Sequence, residues 1–221
     1  MVKYLNIDLI FKDRTSAGEE LAEKLVSYKL KDPIVIALPR GGVAVAKPIS
    51  DKLNAKLDIM VSKKIGAPGN PELAIGAVTS RGDYVFAPYV NETLCRISDK
   101  DEDRRSYLQK QIVYLINNCC DREKKYNVQT TSYKEQNVIL VDDGTATGMT
   151  ALAAIKSIKK QNPAFLVLAI PVISSQAYDE IEKQIDKIET LKIPRDFVAV
   201  GVHYESFDAV SDDEIKTILL A

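Results

Sequence analysis

The sequence predicts an α/β protein built on a central, mostly parallel sheet flanked by helices. Two observations carry that expectation. Short unbroken apolar runs, "PIVIAL", "VILV" and "FLVLAI", have the length and composition of strands buried on both faces. Between and after them, apolar residues recur at helical spacing, so strand and helix alternate as in β-α-β units. A third pattern interrupts the rhythm: "LAIGAVTSRGDYVFAPYV" reads as two strands around a turn at Arg81-Gly82-Asp83.

In chain order, Ser16 and Glu19 form a capping-box pattern ahead of Leu21, Leu25 and Tyr28, which predicts a helix over about 16–30. "PIVIAL" is the first strand, and Gly41-Gly42 opens a helix carrying Ala46, Ile49 and Leu53. "LDIMV" follows as a second strand, and "KKIGAPGNPE", with two glycines and two prolines, reads as a loop before the hairpin. From a cap at Ser98, the segment 98–120 sets Leu108, Ile112, Leu115 and Ile116 on one face of a long helix with charged opposite faces. "VILV", a helix with Met149, Leu152, Ile155 and Ile158 on one side, and "FLVLAI" make a second β-α-β unit. The last strand is expected at Phe197 to Val202, and Ser211 with Glu214 caps a short terminal helix.

The 221 residues, 46% of them hydrophobic, suffice for one sizeable core. With 30 basic and 31 acidic residues the charges nearly cancel, so neither nucleic acid nor an anionic membrane is indicated as a partner; a small anionic ligand is not excluded. Three cysteines, Cys95, Cys119 and Cys120, make no disulfide or metal framework, and reduced thiols fit best, with core packing for Cys119. No apolar run is long enough for a signal or a spanning helix, so a cytoplasmic protein is expected.

The stretch with the most chemistry is "VILVDDGTATGMT", Val138 to Thr150. A buried strand runs into two adjacent carboxylates and then a Gly/Thr loop that becomes a helix. Free N–H groups and the dipole at the helix start favour an anion such as phosphate. Thr145, Thr147 and Thr150 add hydroxyls, and Gly148 permits close approach. The Walker pattern is absent, since Gly148 is followed by Met149, and so is the dinucleotide G-x-G-x-x-G. Asp142 and Asp143 stand at the carboxyl end of their strand, where ligands of open α/β sheets bind. Beside a phosphate cradle they would repel a second phosphate, but vicinal sugar hydroxyls or a divalent metal carried by the substrate would suit them.

Phosphate, ribose hydroxyls and metal together describe phosphoribosyl pyrophosphate (PRPP), and the stretch resembles the PRPP-binding motif of type I phosphoribosyltransferases. The resemblance implies that Asp142 and Asp143 engage the ribose hydroxyls, touching Mg2+ mainly through the substrate, and that Thr145, Ala146, Thr147, Gly148, Met149 and Thr150 hold the 5′-phosphate. Many family members carry an acid at the position of Ala146; here that position offers no general base. "IALPRGGVAVA" resembles the family's pyrophosphate loop, so Arg40, Gly41 and Gly42 would meet the leaving group. A strained or cis peptide is expected at Pro39-Arg40. Over nearly the whole chain, "ALPRGGV", "KKIGAPGNPELAIGAV", "VDDGTATGMT" and "DFVAVG" resemble a bacterial and archaeal subgroup whose members mostly lack an assigned base. The implied architecture is a single doubly wound domain over 1–221: a core at about 30–172, an insertion at about 65–120 with a hairpin and flexible loop, and a small C-terminal hood at about 190–221.

The tail "LKIPRDFVAVGVHYESF" is similar to the hood of 6-oxopurine phosphoribosyltransferases, which implies that Phe197 stacks on a base and the Val198 main chain reads its edge. The glycine is displaced by one residue at Gly201, the usual aspartate has no clear counterpart near His203 and Tyr204, and the lysine that reads the 6-oxo group is not located, although Lys183 and Lys187 lie nearby. Purine is therefore favoured over pyrimidine. In this reading pyrophosphate leaves a ribosyl centre of oxocarbenium character, with Arg40 and Lys64 neutralising the leaving group. Either Lys63 or Lys64 reaches the pyrophosphate and the other is solvated. Arg104 and Arg105 read as a charged helix face, and His203 as a neutral tautomer satisfied in the tail. A lid is expected from 65–71 or 75–90, to keep water from PRPP, and a homodimer is expected. Two other functions stay open: a PRPP- or nucleotide-sensing protein without turnover, and a PRPP- or nucleotide-directed hydrolase.

Overall fold

Five parallel strands form the centre of the molecule in a computed structural model that describes residues 4, 5, 10–67, 70–88, 90, 102–126 and 131–220. They are β1 (Ile34–Ala37), β2 (Lys56–Ile59), β6 (Asn137–Val141), β7 (Phe165–Val172) and β8 (Lys187–Lys192), in the order β2-β1-β6-β7-β8. The alternation of a strand assigns the two faces. Val35, Ala37, Ile139, Val141, Val167 and Ala169 pack into one buried cluster, while Ile34, Ile36, Val138, Leu140, Leu166 and Leu168 pack into another. Both faces are therefore dry, which is why these runs show no polar alternation. Each fully buried aliphatic chain contributes roughly 1.5–3 kcal/mol.

The first face is covered by α1 (Arg14–Val26) and α2 (Gly41–Leu53), the second by α4 (Met149–Lys159) and α5 (Ser175–Glu182). The cap of α1 is Asp13 rather than Ser16. Asp13 Oδ1 accepts from Ser16 N at 2.8 Å, and Ser16 Oγ, at the third helical position, accepts from Asp13 N at 3.1 Å. The capping box is real but begins three residues earlier than expected, because Asp13 supplies the better acceptor.

Between β2 and β6 lies the insertion. "KKIGAPGNPE" is not a loop: β3 (Ser62–Ala67) pairs antiparallel with β4 (Asn70–Thr79), and β5 (Tyr84–Phe86) completes a second sheet of order β3-β4-β5. The register shifts on either side of Gly66, so this glycine marks bulges in a ladder rather than a chain break. The turn at Arg81-Gly82-Asp83 is present, with Gly82 at φ 85°. The hairpin segments expected as lid candidates are thus paired strands, and β4 and β5 rest against α4. Helix α3 (Glu102–Lys125) extends past the expected end at 120. Cys95, Ser98 and the side chains of Arg104 and Arg105 lie outside the described residues.

The tail also departs from expectation. Phe197 to Val202 is not a strand; a 3₁₀ turn spans Val200–His203, and α6 (Asp212–Leu220) follows. The fifth strand is β8, whose "KIETLK" carries no apolar run to mark it. Among the described residues no helix is long and apolar enough to cross a membrane.

Candidate functional site

The strand order reverses between β1 and β6: from β1 the chain passes to β2 on one side, and from β6 to β7 and β8 on the other. Crevices at such switch points, beyond the carboxyl ends of the strands, hold the ligands of open α/β sheets. Two loops meet there, Leu38–Arg40 ahead of α2 and Asp142–Gly148 ahead of α4, and they are the two segments singled out in the sequence.

Their contact is close enough to require glycine. Leu38 N donates to Val141 O at 2.8 Å, stitching the ends of β1 and β6. A Cβ on Gly42 would stand 2.9 Å from Val141 O and 3.1 Å from Asp142 Cα, both backbone atoms that cannot swing aside. A Cβ on Gly41 would stand 1.8 Å from Asp143 Oδ2. The Pro39–Arg40 peptide is cis, as expected. The Arg40 side chain is exposed and makes no capping bond; Asp212 of α6 lies near enough to feel its charge.

The acidic pair is asymmetric. Asp142 Oδ1 accepts from Asp143 N at 2.9 Å. Burial, then the neighbouring Asp143 charge, pushes the Asp142 carboxyl well above the usual carboxylate range, and the Lys64 ammonium from β3 works in the opposite direction. Lys64 is thus the lysine of the 63–64 pair that faces the acids, while Lys63 acts electrostatically on the Cys119 thiol. Asp143 is ion-paired: Arg14 Nε donates to its Oδ2 at 2.8 Å. Its carbonyl accepts from the Tyr204 hydroxyl at 2.5 Å. Sequence reasoning misses both Arg14 and Tyr204 as site residues, because each meets Asp143 from far along the chain.

The loop after the acids is fixed by β7 and open toward solvent. Buried Thr145 donates its N–H to Val172 O and accepts from Gly148 N at its hydroxyl, at 2.9 Å. Gly148 caps α4 at φ 71°. The N–H groups of Ala146, Thr147, Met149 and Thr150 have no hydrogen-bond partner among the described residues, and Ala146 and Thr147 are exposed. Four unpaired donors at a helix start form an anion cradle.

The hood residues divide. Val198 is 79% exposed. Phe197 is half-buried with its ring 5.5 Å from that of His203, which is itself buried with a pKa lowered by burial and by Lys192. Val200 presses on the acid loop, as a Cβ on Gly144 would lie 2.5 Å from its Cγ1. No three His, Cys, Asp or Glu side chains converge into a metal cluster among the described residues. Burial pushes the Cys119 thiol up to about 11, which leaves it inert at neutral pH.

Comparison with known proteins places these features in a family. The model of the phosphoribosyl transferase domain matches residues 10–206. Two Mycobacterium tuberculosis proteins, "Putative phosphoribosyl transferase Rv0571c" of strain H37Rv and "Putative phosphoribosyl transferase MT0597" of strain CDC 1551, are each 32% identical over 210 residues. The match takes in 95% of the chain and 46% of each relative, so the chain spans about half their length. The crystal structure of TT1426 from Thermus thermophilus is 37% identical and superposes with a TM-score of 0.79, covering 96% of this chain and 98% of that one.

Proposed function

Since the chain belongs to the phosphoribosyl transferase domain family, we propose that it transfers 5-phosphoribose from PRPP to a nitrogenous base, with release of pyrophosphate and with a purine as the favoured acceptor. The observation that carries the reading is the meeting of two loops at the switch point, where Gly41 abuts the Asp143 carboxylate beside a row of unpaired N–H groups. A ribose held by Asp142 and Asp143 would put its 5′-phosphate over Ala146 to Thr150 and its pyrophosphate toward Arg40, Gly41 and Gly42. The distribution of charge supports that orientation: the acids face hydroxyls, and the donors face anions.

In the transfer, the bond from the anomeric carbon to the pyrophosphate oxygen breaks and its electron pair leaves with pyrophosphate. A ring nitrogen of the base supplies the pair for the new bond. Positive charge develops on the ribosyl centre and negative charge on the leaving group, which Arg40 and Lys64 would stabilise. Ala146 carries no titratable group, so this position takes no proton from the base. Lacking a third acidic or histidine partner near Asp142 and Asp143, the residues fit a Mg2+ ion that arrives on substrate oxygens, where it would neutralise the departing pyrophosphate. Val198, with its exposed main chain, and Phe197 would receive the base.

Isothermal calorimetry with PRPP and Mg2+ tests the site. The chain should bind PRPP, and the Asp142→Asn/Asp143→Asn double variant should lose that binding while still unfolding cooperatively. Unchanged PRPP affinity in the double variant would overturn the site assignment.

A further inference from the structure

Arg14 reaches the acidic pair from the other end of the chain, 129 positions away. Its Nε donates to Asp143 Oδ2 at 2.8 Å, and the two side chains are 12% and 16% exposed. The rest of the guanidinium is engaged as well: Nη1 donates to the Asp208 carbonyl at 2.8 Å, and the central carbon lies 3.7 Å from the centroid of the Phe207 ring. On its opposite side Asp143 abuts Gly41, and its carbonyl is held by Tyr204. The second acid is therefore fixed by α1, by the tail and by the loop after β1 together. A buried ion pair is weak support for stability, because an apolar pair of similar volume usually serves the fold as well. A planar guanidinium does supply what such a pair cannot, a fixed orientation of the carboxylate it faces.

We infer that Arg14 is the positioning residue of the ribose-binding carboxylate. Clamped between Phe207 and the Asp208 carbonyl, it holds Asp143 at the angle at which the carboxylate meets the vicinal hydroxyls, and it thereby links ribose recognition to the docking of the C-terminal tail. The inference rests on the proposed role of Asp143 toward ribose.

The test compares two probes in the full-length chain, PRPP and inorganic pyrophosphate, each by calorimetry with Mg2+. Arg14→Gln should weaken PRPP roughly tenfold or more and leave pyrophosphate within about twofold. Arg14→Lys, which keeps the charge and loses the planar fork, should recover only part of the loss and guards against a folding defect in the Gln variant. Adding Asp143→Asn to Arg14→Gln should weaken PRPP no further than Asp143→Asn alone. Equal weakening of both probes, full recovery by Lys, or additive losses in the double variant would each overturn the positioning role. If Asp143→Asn itself left PRPP binding intact, the failure would belong to the ribose assignment and not to Arg14 alone.

Discussion

Gly42→Ala probes the contact on which the site depends. The added methyl carbon would lie 2.9 Å from Val141 O and 3.1 Å from Asp142 Cα, where real Cβ atoms do not sit, so either the Arg40 loop or the end of β6 must move by a few tenths of an ångström. Overpacking of this kind costs roughly 1–3 kcal/mol, which for a chain of this length lowers Tm by about 2–4 °C per kcal/mol. The displacement falls between Arg40 and the acidic pair, so PRPP affinity should drop as well, by up to about a hundredfold where a reacting group is misplaced by an ångström. Gly82→Ala is the control. Gly82 sits at φ 85° in the β4–β5 turn with nothing within 4 Å of its built Cβ, so its cost of about 1–2 kcal/mol is backbone strain remote from the site. Melting curves and PRPP calorimetry on both variants separate the effects: similar losses in Tm, and a loss of PRPP binding only in Gly42→Ala. Wild-type PRPP affinity in Gly42→Ala, or an equal binding loss in Gly82→Ala, would refute the argument that this glycine sets the spacing of the two loops.

The remaining predictions address single groups. The Asp142 carboxyl titrates above its ordinary value in the folded chain, so its contribution to stability is intact below about pH 3.9 and is lost as pH rises through the raised folded value. Asp142→Asn should accordingly gain stability relative to wild type at pH 7, show no gain at about pH 3.5, below the ordinary carboxyl value, and bind PRPP more weakly; Tm measured across that range checks the sign. Arg40→Ala, at an exposed side chain, should leave Tm nearly unchanged and weaken PRPP and pyrophosphate roughly ten- to a hundredfold, about 1.5–3 kcal/mol for a charged hydrogen bond, while a nucleoside monophosphate binds as before. Phe197→Ala should raise KM for an accepted base by roughly one to two orders of magnitude, matching about 1–3 kcal/mol of lost stacking, and leave PRPP affinity unchanged in steady-state kinetics.

The parts of the fold that were legible are those in which burial and sequence pattern coincide. Four parallel strands are buried on both faces over part or all of their length and read directly as apolar runs. The fifth, β8, lies at the sheet edge with Lys187 exposed and Glu189 half-buried, accepting from Tyr28 and Lys24, so its sequence alternates and resembles a polar loop. "FVAVGV" misleads in the opposite direction: its residues favour strands, but Val198 and Val202 project into solvent and Val200 is used to pack on Gly144. Glycines around β3 and β4 read as a loop because bulges and turns use the same residue. In the candidate site, Asp142, Asp143, Gly41, Gly42 and Gly148 were legible because loop geometry demands them locally. Arg14 and Tyr204 were not, since a contact across the whole chain leaves no periodic or local trace.

Pyrophosphate release from PRPP, measured with Mg2+ against a panel of purine and pyrimidine bases, tests the proposed transfer most directly. The account predicts release that depends on a base, is fastest with a purine, yields the matching nucleoside monophosphate in equal amount, and disappears in the Asp142→Asn/Asp143→Asn variant. PRPP binding without release under any base would contradict it and point to a sensor, and release that proceeds equally without a base would point to a hydrolase.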